Sequence, residues 1–64
     1  MKVTYDPETD ILRVLFSASK IEESDEEKPG IILDYDHDGN VVALEILDAS
    51  ERMENPKVVE FAVA

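Results

Sequence analysis

Val3 and Tyr5 fall on one side of an extended segment, and Lys2 and Thr4 on the other, because side chains alternate along a strand. "KVTY" therefore predicts a short strand. "DPETD" follows, where Pro7 presets a turn and the Asp side chains bond nearby backbone. "ILRVLFS" predicts a second strand. Leu12, Val14 and Phe16 share one face, and Ile11, Arg13, Leu15 and Ser17 share the other. A hairpin that sets Tyr5 opposite Leu12 also sets Val3 opposite Val14, so the apolar faces coincide.

"ASKIEESDEEKPG" is dense in charge and reads as a solvated loop that closes on a Pro29-Gly30 turn. Ile21 is its one large apolar residue, to be docked on the core or added to the sheet. "IILDYD" and "VVALEIL" then alternate on either side of "HDGN". Asp-Gly between two alternating runs is a strong hairpin signal. With Asp38-Gly39 as the turn, Tyr35 faces Val42, Leu33 faces Leu44 and Ile31 faces Ile46. The other side pairs Asp36 with Val41, Asp34 with Ala43 and Ile32 with Glu45. A slip of one residue would scramble both faces.

"DASERMENP" predicts a short helix or helical turn. Asp48 is its expected cap, with Glu51 as capping-box partner and Asn55-Pro56 as the stop. "KVVEFAVA" alternates again and predicts a C-terminal strand. The expected fold is mainly β, or β-rich α+β: an antiparallel meander of two hairpins, the helical turn and that last strand, in one domain over residues 1–64. Ile11, Leu15, Ile32, Val41, Ala43 and Leu47 lie opposite the main apolar face. A sheet apolar on both sides needs a second layer, either the C-terminal segment or a second copy of the chain.

"DYDHDGNVVALE" matches the calcium-loop pattern D-x-[DN]-x-[DN]-G-x5-E. An EF-hand needs a helix on each side of that loop. The residues before Asp34 are "EEKPGIIL", in which Pro-Gly breaks a helix and "IIL" favours a strand. The hairpin reading is therefore preferred. It leaves one alternative: Asp34, Asp36, Asp38 and Glu45, gathered near one face, as a weak divalent-cation (calcium) site.

Charge narrows the partners. Sixteen acidic residues face six basic ones in 64 residues, a net charge of −10. That argues against nucleic acid, whose binding depends on Lys and Arg at phosphates, and against an anionic membrane. A basic protein suits such a chain better, although the charge also serves solubility. The densest acids, Glu22, Glu23, Asp25, Glu26 and Glu27, are the candidate protein-binding residues. There is no cysteine, hence no thiol nucleophile and no disulfide. The single histidine, His37, sits at a turn, no Ser has an activating partner in sight, and no phosphate-binding motif occurs. No enzyme activity and no cofactor are expected. No apolar run reaches the ~20 residues of a membrane span, and "MKVTYDPETD" lacks a signal-peptide core, so the expected location is the cytoplasm. A chain this short buries only about 60% of its unfolded surface, which makes a homodimer the expected source of added stability.

"YDPETDILRVLFS" and "PGIILDYDHDGNVVALEILDAS" together resemble a small prokaryotic family of unknown function, DUF2283, from Tyr5 to about Ser50. The resemblance implies a small β-rich domain and carries no catalytic residue. It also implies a loose link to bacterial gene pairs of toxin–antitoxin type. The expected function is a non-enzymatic protein-interaction or assembly module with an acidic surface, the antitoxin-like member of such a gene pair.

Overall fold

The computed structural model describes residues 1–64. Five strands form one open antiparallel sheet: β1 (Lys2–Asp6), β2 (Ile11–Leu15), β3 (Glu23–Lys28), β4 (Ile31–Tyr35) and β5 (Val41–Ile46). One helical turn, α1 (Ala49–Arg52), follows. The spatial order is β1-β2-β5-β4-β3. The chain thus comprises a hairpin, β1–β2, and a three-strand meander, β3–β4–β5, zipped together where β2 pairs with β5. No helix is long and apolar enough to cross a membrane.

The β1–β2 hairpin has the predicted register, with Tyr5 opposite Leu12 and Val3 opposite Val14. In the β4–β5 hairpin, Ile31 faces Ile46, Leu33 faces Leu44, Ile32 faces Glu45 and Asp34 faces Ala43, again as expected. The tip differs. Tyr35 pairs with Val41, not Val42, across a bulge. Asp36 causes the shift: its Oδ1 accepts from the amides of Asp38 and Asn40, each at 2.9 Å. The Gly39 amide donates to the Asp36 carbonyl at 3.1 Å, and Gly39 adopts φ +83. The result is a three-residue loop closed by a left-handed glycine, the pattern in which a hairpin carries a bulge.

Two expectations fail. The acidic connection is not a loop, because Glu23–Lys28 forms edge strand β3, paired along β4. A backbone ladder does not require apolar side chains, and the Pro29-Gly30 turn aims the acidic run back along β4. Conversely, residues 57–64 form no strand. The Asn55-Pro56 turn, in which the Val58 amide bonds the Asn55 carbonyl at 3.1 Å, sends the tail past Val3 and Tyr5 without a ladder partner. Alternation supplies β propensity, but a strand also needs a neighbour.

By alternation, Tyr5, Leu12, Val14, Leu33, Leu44 and Ile46 share a first face, and Ile11, Arg13, Leu15, Ile32, Asp34, Ala43 and Glu45 a second. Extensive packing between elements is confined to neighbouring strands. Buried residues lie at the sheet centre and its lower end: Leu12, Val42, Ala43 and Asp34, with Gly30 and Ala49. Val58, Val59, Phe61 and Val63 in the tail are exposed.

The helical turn lies off the end of the sheet, between the two outer turns. Leu47 donates to the Gly30 carbonyl at 2.9 Å, Ala49 to the Asp10 carbonyl at 3.0 Å, and Arg52 Nη2 to the Pro29 carbonyl at 2.6 Å. The expected capping box does not form. Asp48 is left-handed at φ 53 and its side chain caps nothing. Asp10, from the distant β1–β2 turn, takes over: its Oδ1 accepts from the Ser50 amide at 2.9 Å.

Candidate functional site

The acidic candidates are spread along one edge. Glu23 and Asp25 stand opposite Tyr35 and Leu33, so they flank the first face, whereas Glu26 lies opposite Ile32 on the second face. Three of the five acids are engaged within the chain. Glu22 Oε1 lies 3.9 Å from Lys20 Nζ, Glu26 Oε2 accepts from the Gly30 amide at 2.9 Å, and Glu27 Oε1 accepts from the Tyr35 hydroxyl at 2.9 Å. That bond to Glu27 holds the Tyr35 pKa above its ordinary value, with desolvation and the charges of Glu27, Asp25 and Glu23 adding to it. Glu23 and Asp25 remain exposed, with no side-chain hydrogen bond or ion pair. The strip is therefore an acidic sheet edge with two uncommitted carboxylates.

The four residues of the cation alternative separate into two places. Asp34 and Glu45 share the second face and lie diagonally across β4 and β5. Asp36 does not join them, because it sits past the end of β4 with Oδ1 committed to the turn amides, and Asp38 is exposed in that turn. No three His, Asp or Glu side chains converge in a geometry that would hold a metal ion.

What the second face does contain is a close carboxyl pair. Asp34 is 3% exposed. Its Oδ1 accepts from the Ser24 hydroxyl, its buried Oδ2 has no donor while both carboxyls are ionised, and Asp34 and Glu45 bond each other only by sharing a proton. Glu45 lies beside it with a raised pKa. Burial is the first cause, followed by a hydrogen bond to Asp34 and the Asp34 charge, with Arg13 acting in opposition. Arg13 stands directly opposite Glu45 in the β2–β5 register and is half-buried. It makes no ion pair, since Lys20–Glu22 is the chain's one pair within 4.0 Å. A buried polar atom left unmatched is costly, so this constellation is the least satisfied part of the sheet. Sequence spacing identified Asp34 and Glu45 as neighbours. It did not single out Arg13, whose cross-strand position depends on the β2–β5 pairing of residues far apart in the chain.

Sequence comparison agrees with the β-hairpin motifs. The DUF2283 family, described as a protein of unknown function, matches residues 2–50. The chain belongs to the DUF2283 family. No curated protein matches the chain, and no solved structure does. The DUF2283 match spans all five strands and ends within α1, so the family region is the complete sheet together with the first part of its end-cap. The exposed apolar tail lies outside it.

Proposed function

We propose that this DUF2283 chain is a non-enzymatic assembly module that self-associates through a face of its sheet. The observation behind this reading is the single uncovered layer. No strand or helix packs broadly on either face, and Ile11, Leu15, Ile32, Leu33, Leu44 and Ile46 are only half-buried. Apolar sheet faces are stabilised by a second layer, and a chain of this size gains most by borrowing one from a copy of itself. One surface depression, lined solely by Met1, Val3, Val59 and Phe61, extends the uncovered apolar surface onto the tail. Sedimentation velocity over a dilution series tests the reading. A species twice the 7.2 kDa chain mass, dissociating on dilution, is expected. A monomer at every concentration, unfolding cooperatively, overturns it.

The uncommitted Glu23 and Asp25 favour a second role for the same module, an acidic edge offered to a basic protein. Electrostatic association of this kind depends on salt. Changing Glu22, Glu23 and Asp25 to their amides is expected to weaken capture of a basic partner and flatten its salt dependence. Binding indifferent to both changes rejects the role.

A further inference from the structure

We propose that a second copy of the chain docks on the second face of the sheet, with Arg13 of each copy pairing with Glu45 of the other. The inference rests on the self-association proposed above and names its surface. Three observations favour this face. First, it holds two accessible charges without an ion pair, the half-buried Arg13 and Glu45, with Glu45 lying against the buried Asp34. Second, the set is self-complementary. In a two-fold interface residue i meets j and j meets i, so one Arg13 and one Glu45 per copy yield two matched contacts. A guanidinium presents a planar fork suited to carboxylates. Third, Ile11, Leu15, Ile32 and Leu47 surround the charges with apolar surface that is half-buried in the single chain.

The first face is a poorer candidate. The tail residues Val59 and Phe61 already lie along Val3 there, and its margin presents two uncommitted acids, Glu23 and Asp25, whereas Glu26 at the margin of the second face is bonded to the Gly30 amide. Size is also adequate. A stable interface takes about 800 Å² per partner, and the molecule is 33 × 30 Å across its two longer dimensions.

The pairing predicts a charge-swap result. Arg13→Glu alone and Glu45→Lys alone each oppose like charges at both contacts, so each is expected to dimerise at least about tenfold more weakly than the unaltered chain. An equimolar mixture restores opposite charges at both contacts and is expected to recover a dimer containing one chain of each kind. Sedimentation velocity with one chain fluorescently labelled reads both results, and circular dichroism checks that each variant is folded. If Arg13→Glu does not fold, Arg13→Gln takes its place and is expected to show a smaller loss in the same direction, because it removes the attraction without adding repulsion. An unaltered chain that dimerises while both variants dimerise equally well overturns the choice of face and leaves self-association standing. Two weakened variants that fail to recover in the mixture overturn the pairing. A monomeric unaltered chain overturns both the inference and the reading beneath it.

Discussion

Asp10 and Ser50, forty residues apart, are joined twice: Asp10 Oδ1 accepts from the Ser50 amide at 2.9 Å, and Oδ2 from the Ser50 hydroxyl at 2.6 Å. Asp10 Oδ1 also accepts from the Tyr5 hydroxyl at 2.7 Å. One carboxylate thus ties the β1–β2 turn to the helical turn that follows β5. Asp10→Ala removes all three bonds and is expected to lower Tm by roughly 5 °C in a domain of this size, measured by circular dichroism. Ser50→Ala removes only the hydroxyl bond and should lower it less.

The same bonds give the acid limb of stability. The Ser50 hydroxyl first, then the Tyr5 hydroxyl and the Ser50 amide, hold the Asp10 pKa below its ordinary value. A carboxylate depressed in the folded state stabilises above its unfolded pKa. That contribution is lost as pH falls through the folded pKa. Asp10→Asn should therefore flatten the acid side of a Tm-against-pH curve.

Glu45 acts with the opposite sign. Its pKa is raised by burial and then by Asp34. A raised carboxyl favours the folded state below its unfolded pKa, and that advantage is lost as pH rises through the folded value. In dilute protein, stability should decline as pH climbs above the ordinary Glu range of about 4.3. Asp34→Asn keeps an acceptor for Ser24 and removes the like charge. It is expected to return the Glu45 pKa toward ordinary, as followed by carboxyl NMR titration, and to reduce that decline.

Gly30 and Gly39 separate backbone strain from crowding. Both have positive φ, +80 and +83. A Cβ on Gly39 would meet nothing within 4 Å, whereas one on Gly30 would lie 2.7 Å from Arg52 Nη2. Gly39→Ala is expected to cost about 1–2 kcal/mol from the left-handed conformation alone. Gly30→Ala should cost about 1 kcal/mol more, because moving Arg52 breaks its bond to the Pro29 carbonyl. Urea unfolding of the two variants measures the difference.

Asp48 is left-handed at φ 53 and makes no side-chain capping bond. Asp48→Gly relieves a left-handed conformation worth about 1–2 kcal/mol against an added unfolded-state entropy of about 0.4–1 kcal/mol, and is expected to be net stabilising in the same urea experiment.

Local pattern alone determined much of the molecule. Alternation in "KVTY" and "ILRVLFS" placed Val3 against Val14. The runs flanking Asp38-Gly39 placed Ile31 against Ile46, because each strand has a period of two and only one register aligns both apolar sets. The proximity of Asp34 and Glu45 followed from that register. Four other features depended on the assembled chain. The acidic run became a strand because β4 offered it a ladder, and "KVVEFAVA" did not because its turn led it away from any partner edge. Asp10 displaced Asp48 as the helix cap, and Arg13 came to stand opposite Glu45, only when β2 paired with β5. Side-chain periodicity is local and can be read residue by residue. Hydrogen-bond partners and charge neighbours distant in sequence are settled by which edges meet, and that is a property of the whole sheet.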